Sequence, residues 1–265
     1  VVAIAETLWA QEPDDIYYFY VYVSSLPEVG RRAEAIAEMK TILKEHPEYT
    51  GIKNDLAYGL ALEGKQLRYA QALITQLLDE EMEAAKRLAG VQVLYDDWGN
   101  PIRPSGQADS VLLAGYNPTL AYMDTKGWVL YRRGKVDEAL NIFGSMLARL
   151  EADEDSSAEV WDHIGDVFYR SDQPDRAVRY WTKALAAAEE ADYPRLSERL
   201  VLETCPGKIS AVAEGTPAPV TPFGEGIDDP LFPEDDEAAT EAETSDDAAE
   251  TDTGADAPAS SDTPE

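Results

Sequence analysis

The sequence predicts an all-α protein made of helix-turn-helix hairpins, followed by a long acidic tail. Three observations predict this fold class. Apolar residues recur at three- and four-residue spacing before the tail, which is the periodicity of amphipathic helices. Part of that pattern repeats at a fixed offset, as in proteins built from stacked hairpins. From Cys205 onward the composition changes, with 17 acidic residues and one basic residue.

The composition of the whole chain excludes several function classes. Its 265 residues include 22 Lys and Arg against 52 Asp and Glu, a formal charge of −30. This charge repels nucleic-acid phosphates and anionic lipid surfaces, so neither is expected as a partner. No apolar run reaches the roughly 18 residues of a membrane-spanning helix, so no membrane insertion is expected. The single cysteine, Cys205, excludes an internal disulfide.

The clearest repeat joins two segments 38 residues apart, GWVLYRRGKVDEALNIF (127–143) and GDVFYRSDQPDRAVRYW (165–181). Matching residue types fall at five paired positions: Gly127 and Gly165, Tyr131 and Tyr169, Arg132 and Arg170, Ala139 and Ala177, Phe143 and Trp181. Two helices joined by a tight turn approach closely only where small residues face large ones. This pattern therefore predicts two similar hairpins.

Two earlier segments follow the same pattern. In AYGLALEGKQLRYAQALI, Ala57 takes the small position and Gly64 the turn. In GRRAEAIAEMKTILKEHP, Gly30 takes the turn, Ala35 the small position, and Pro47 ends the helix. The sequence thus contains four copies of one hairpin.

This order of small, aromatic, glycine, alanine, aromatic and proline residues resembles the tetratricopeptide repeat (TPR) family. In particular, NDLAYGLALEGKQLRYAQALI and YMDTKGWVLYRRGKVDEAL look like the C-terminal repeats of bacterial TPR proteins. The resemblance covers roughly residues 1–190 and implies a right-handed α-solenoid of hairpins. It implies a bacterial protein and leaves the compartment, cytoplasm or cell envelope, open.

The predicted elements follow one another along the chain. Residues 1–13 are expected to be the second helix of a repeat whose first helix is absent, so we expect the chain to be a fragment. The remaining elements are repeats over 14–47 and 50–81, an insertion over 82–118, repeats over 119–152 and 157–190, a capping helix over 193–204, and a disordered acidic tail over 205–265.

The tail prediction depends on composition. Its second half consists of Ala, Asp, Glu, Thr, Ser, Gly and Pro and has no aromatic residue, so it cannot bury enough apolar surface to offset the entropy of ordering. Its one apolar stretch, FGEGIDDPLF (223–232), is either inert or a docking motif. We interpret the tail as solubilising. The alternative is that it mimics nucleic acid or sequesters basic proteins.

No motif indicates catalysis, a cofactor or a metal. The two histidines, His46 and His163, belong to no metal-binding pair or catalytic triad signature. In the insertion, Asp96, Asp97 and Asn100 surround Trp98, but they lack the spacing of a calcium-binding loop. We therefore predict a protein that is not an enzyme and binds neither cofactor nor metal.

The most informative residues share one face of the first helices. They are Asp124, Trp128, Tyr131 and Arg132, their counterparts 38 residues later, Asp162, Asp166, Tyr169 and Arg170, and Asn54 and Tyr58 in an earlier repeat. The resemblance implies that this face lines a groove that binds a peptide or a partner helix. Alternatively, Trp128 and Tyr131 fill the seam between hairpins.

The predicted partner is a protein or peptide that is basic or neutral. The carboxylate clamp of Lys, Asn and Arg found in the best-known groove of the family is missing, whereas Asp124, Asp162 and Asp166 are present. We thus expect a non-catalytic interaction scaffold. The alternative is a module that regulates or positions a larger enzyme or an envelope-assembly protein.

Overall fold

The structure is a computed structural model, which describes residues 2–13, 15–91, 94–95, 101–102, 117–152 and 157–225. Within these ranges the regular secondary structure is helical apart from one two-residue ladder. The helices are α1 (Val2–Gln11), α2 (Ile16–Ser25), α3 (Arg32–Glu45), α4 (Thr50–Glu63), α5 (Leu67–Val91), α6 (Leu120–Arg132), α7 (Val136–Ala152), α8 (Ala158–Arg170), α9 (Pro174–Glu189) and α10 (Leu196–Ala213).

Two smaller elements complete the described chain. A 3₁₀ turn over Pro27–Val29 follows α2. The strands β1 (Leu94–Tyr95) and β2 (Pro101–Ile102) pair antiparallel. The prediction of an all-α protein with packed helix pairs is confirmed, since α4 packs on α5, α6 on α7 and α8 on α9.

The paired small and large positions of the repeat meet where the helices cross. A Cβ atom at Gly127 would lie 2.7 Å from Phe143 Cε2, and one at Gly165 would lie 2.3 Å from the ring of Trp181. Real Cβ atoms do not approach other atoms this closely, so only glycine permits the observed helix separation. The sequence repeat thus encodes two equivalent helix crossings.

The turns within the helix pairs use left-handed backbone. Gly30, Gly64 and Gly134 have φ values of 81°, 70° and 74°, a region that glycine occupies without a steric penalty. The fourth turn places Asp172 there with φ of 59°. Asp172 lies 38 residues after Gly134, so the turn geometry repeats although the residue type does not.

Two helices run further than the sequence indicated. Helix α5 continues to Val91 rather than stopping at residue 81, because strong helix formers follow and Gly90 is the first breaker. Helix α10 continues to Ala213, through the predicted boundary at Cys205 and past Pro206 and Gly207. Residues 205–213 are therefore helical, which corrects the tail prediction for this stretch.

The physical reason for the extension of α10 is tertiary packing. Cys205 is fully buried, and Lys208 is 2% exposed. Both contact α8, where Lys208 Nζ lies 2.6 Å from Asp162 Oδ1 and 2.7 Å from Asp166 Oδ1. The acidic composition of the tail does not predict these contacts. The prediction for residues 226–265, and that for Asp96, Asp97, Trp98 and Asn100, lies outside the described residues.

Candidate protein-binding face

The predicted site residues lie on α4, α6 and α8, the first helices of three pairs, and we call this surface the first-helix face. Helix α6 packs against both α4 and α8, which brings the three helices side by side. Asp124, Trp128, Tyr131, Arg132 and Asp166 are at most 7% exposed. Asn54, Tyr58, Asp162 and Tyr169 are half-buried, and Arg170 is exposed. Much of this face therefore contacts other parts of the chain.

A histidine that sequence analysis set aside links the three helices. His163 on α8 is 3% exposed, and its ring stacks on Trp128 with 3.8 Å between centroids. Its Nδ1 atom lies 3.0 Å from Asp124 Oδ1, and its Nε2 atom lies 3.4 Å from the hydroxyl of Tyr58. Tyr58, His163 and Asp124 thus form one polar chain across α4, α8 and α6.

The charge state of His163 follows from its neighbours. Burial by itself lowers the pKa of this imidazole, but the Asp124 carboxylate, assisted by Glu159 and Asp162, outweighs burial and raises the pKa above its ordinary value. The protonated form, which donates from both ring nitrogens, is therefore favoured beside Asp124. This interaction stabilises the packing of α8 against α6.

A second polar cluster centres on Asp166, which is fully buried. Its carboxylate accepts hydrogen bonds from Lys208 Nζ at 2.7 Å, Trp181 Nε1 at 3.0 Å and the backbone N–H of Thr221 at 2.9 Å. Burial lowers the pKa of Lys208, but Asp166 and Asp162 outweigh it and raise that pKa well above its ordinary value. The positive charge that sequence analysis expected from a partner of Asp162 and Asp166 is here supplied within the chain by Lys208.

The extended segment Thr216–Glu225, which we call the C-terminal strap, lies across the same helices. The N–H of Ala218 donates to the Tyr169 hydroxyl at 2.8 Å. The Tyr131 hydroxyl donates to the carbonyl oxygen of Thr221. At its end, the N–H of Gly224 donates to the carbonyl oxygen of Arg132 at 2.7 Å, which satisfies a carbonyl that the end of α6 leaves free.

An aromatic side chain holds the strap at its end. The ring of Phe223 packs edge-to-face on Tyr131 with 5.6 Å between centroids, and the guanidinium of Arg170 lies 5.0 Å from it. With α10 and the strap in place, the parts of the first-helix face on α6 and α8 are covered by the chain itself. We call these parts the covered half.

The other side of the face opens into a cavity of about 250 Å³ between α2, α3, α4 and the start of α10. Its floor is apolar, formed by Val23, Met39, Gly59, Leu62, Leu196 and Leu200, and the charged residues Glu28, Arg32, Asp55, Glu159 and Arg195 also line it. Glu28 connects α10 to the opposite wall, because its carboxylate accepts from the N–H of Leu196 at 3.0 Å and from Arg199 Nη2 at 3.0 Å. We call this region the open half.

Two carboxylates of the open half, those of Asp55 and Glu159, form no ion pair with a described lysine or arginine, although Arg32 and Arg195 line the same cavity and the charge of His163 acts on Glu159. Asp55 on α4 accepts a hydrogen bond from Asn54, and Glu159 on α8 is hydrogen-bonded to Tyr58. Asp55 is exposed and Glu159 is half-buried, and partial desolvation by neighbouring protein atoms raises the pKa of both carboxyl groups. A cation entering the cavity could pair with these two carboxylates, in competition with the guanidinium groups of Arg32 and Arg195.

Other chemistry finds little support in the described part of the chain. No group of three or more His, Cys, Asp or Glu side chains there is arranged to hold a metal ion. None of the described helices is both long and apolar enough to cross a bilayer. The thiol of Cys205 is buried and donates to Asp162 Oδ1 at 3.2 Å, and burial raises its pKa. A buried thiol of this kind is a poor nucleophile.

No protein-family model and no curated protein matches the chain in sequence. The assignment to the TPR family therefore stays a proposal. The geometry of the two halves of the first-helix face is the basis for the proposed function.

Proposed function

We propose that this protein is a non-catalytic scaffold of TPR-like repeats that binds a basic or neutral segment of another protein. The repeat assignment is supported by the two equivalent crossings at Gly127 and Gly165 and by the four left-handed turns. A right-handed solenoid is the arrangement that such hairpins adopt when they stack.

The observation that carries the proposal is the open half of the first-helix face. A cavity with an apolar floor and a few convergent polar groups is the usual form of a binding site. Three carboxylates, Glu28, Asp55 and Glu159, line this cavity against two guanidinium groups, and Asp55 and Glu159 form no ion pair with a described lysine or arginine, which favours a positive charge in the ligand. A lysine or arginine side chain fits both properties, because its methylene stem packs on apolar surface while its charged end reaches the carboxylates.

A peptide array with defined sequences tests this assignment. Short peptides that combine one Lys or Arg with apolar neighbours are compared with the same peptides carrying Gln or Glu at the basic position. We expect the intact chain to retain the basic peptides. The double variant Asp55→Asn/Glu159→Gln should bind them at least about tenfold more weakly, or 1.4 kcal/mol.

The matched control is Glu190→Gln, an exposed carboxylate that follows α9 away from the cavity. It should leave retention unchanged. Equal retention of basic and acidic peptides, or equal loss of binding in the control, would contradict the assignment. Trp128 and Tyr131 are unsuitable for this test, because both are buried and their replacement would disturb packing.

A further inference from the structure

The C-terminal strap is bound as a peptide ligand is bound. Its backbone pairs with no β-strand of the part of the chain that the structure describes. Instead Tyr169 and Asp166 accept from the N–H groups of Ala218 and Thr221, and Tyr131 donates to the carbonyl of Thr221. Side chains of two helices thus form hydrogen bonds with the backbone of an extended segment, as they do when a groove binds a peptide.

The sequence of the strap, TPAPVTPFGE, suits this role. Prolines at 217, 219 and 222 favour an extended backbone and reduce the entropy lost on binding. They also remove three N–H donors. Most of the remaining donors, those of Ala218, Val220, Thr221 and Gly224, are satisfied in the structure.

The seat of the strap is specific at one end. A Cβ atom at Gly224 would lie 2.6 Å from Leu67 Cδ1 and 2.8 Å from the carbonyl oxygen of Gly64. Only glycine fits there. Phe223 beside it contacts Tyr131 and Arg170 but remains 37% exposed. The seat therefore selects a segment in which small apolar residues are followed by a proline, an aromatic residue and a glycine, in that order.

The strap is held by few buried side chains. Ala218 and Val220 are small and 8% exposed, and the anchoring aromatic ring is partly in solvent. Such a segment gains its occupancy largely from being attached to the same chain, which keeps its effective concentration high. An attached ligand of this kind excludes weaker competitors and yields to stronger ones.

We propose that residues 216–225 are an internal ligand that occupies a peptide-binding seat on α6 and α8. The partner that displaces them is an extended, proline-bearing segment of another protein with an aromatic residue followed by glycine. The strap then blocks this seat until such a partner displaces it. The seat is separate from the cavity, so this inference and the proposed function are tested independently.

The test uses the full chain and a fluorescent peptide with the sequence of residues 216–225. Gly224→Ala should release the strap, because its Cβ atom has no room. Gly144→Ala is the matched control, since nothing lies within 4 Å of a Cβ atom there. Hydrogen exchange at the amides of Ala218, Thr221 and Gly224 reports release. Fluorescence anisotropy reports binding of the peptide in trans.

We expect the Gly224→Ala chain to lose amide protection in the strap and to bind the peptide at least tenfold more tightly than the wild type. The control should match the wild type, and a peptide with alanine in place of its phenylalanine should bind at least tenfold more weakly. Three results would overturn the proposal. They are release of the strap without binding of the peptide, full protection of the strap in Gly224→Ala, and a concentration-dependent dimer that blocks the peptide, which would assign the seat to a second copy.

Discussion

The two halves of the first-helix face are built on the same kind of helix but differ in how their carboxylates are satisfied. In the covered half, Asp166 accepts three hydrogen bonds from within the chain, one of them from Lys208. In the open half, Asp55 and Glu159 line a cavity and form no ion pair with a described lysine or arginine. The C-terminal region thus supplies hydrogen-bond donors to the buried carboxylates of the covered half, whereas the carboxylates of the open half remain available to a partner.

The largest effect is expected from removing the buried cation of the covered half. Lys208→Met leaves Asp162 and Asp166 without their positive partner, and breaking a buried ion pair in this way costs about 3–5 kcal/mol. The free energy of unfolding, measured in urea, should fall by this amount. Lys65→Met, at an exposed lysine, should change it by less than about 0.5 kcal/mol. A small effect at Lys208 would mean that the covered half is held by packing alone.

The next largest difference is expected from replacing a helical glycine by alanine in each half. In the covered half, Gly165→Ala forces a Cβ atom into the Trp181 ring and should destabilise by about 1–3 kcal/mol. In the open half, a Cβ atom at Gly59 would meet Ile36 Cγ1 at 3.3 Å, which a small shift relieves. Because alanine favours helix by about 1 kcal/mol, Gly59→Ala should be near neutral. Thermal unfolding of both variants would show the difference, and equal losses would contradict the described packing.

The polar chain between the halves predicts a pH dependence. The pKa of His163 is raised in the folded protein, so its contribution is fully present below the unfolded value near 6.5 and is lost as pH rises through the folded pKa. His163→Phe keeps the ring contact with Trp128 but leaves Asp124 unpaired. This substitution should lower the free energy of unfolding by about 1–2 kcal/mol at pH 6, and by less at higher pH.

Unfolding curves recorded from pH 6 upward check this prediction. The control is His46→Phe, since His46 lies near the surface beside Glu48. The interpretation of His163 would be wrong if the His163→Phe variant lost the same free energy at every pH, or if the His46 variant behaved identically.

The smallest effect has the opposite sign. Desolvation raises the pKa of Glu159, so folding destabilises its charged form relative to the unfolded chain. Glu159→Gln should therefore stabilise the free protein by about 0.5 kcal/mol, whereas Asp166→Asn should destabilise it because Lys208 loses a partner. Both variants are compared by urea unfolding at pH 7. Destabilisation by Glu159→Gln would indicate that the open half is already satisfied within the chain.

Sequence reasoning predicted the helix pairs because their determinants are local. Gly127 and Phe143 fall at fixed spacing within one hairpin, and the turn glycines Gly30 and Gly64 need no distant partner to be identified. The helical spacing on α6 and α8 also placed Trp128 and Tyr169 on the correct helices.

What sequence reasoning missed depends on contacts between distant segments. Pro206 and Gly207 normally end a helix, yet α10 continues because Lys208 is buried against α8. The one available signal was that Lys208 is the single basic residue after Cys205. The strap carries no helical or strand periodicity, and His163 matches no motif because Tyr58 and Asp124 lie 105 and 39 residues away.

The most direct test of the account is hydrogen exchange of the full chain with and without a basic peptide selected on the array. We predict slower exchange in α2, α3, α4 and the first turns of α10, and unchanged exchange at Ala218, Thr221 and Gly224 in the strap. Protection confined to the second helices α7 and α9, or exchange that the peptide does not alter anywhere, would contradict the claim that the open half of the first-helix face binds a partner.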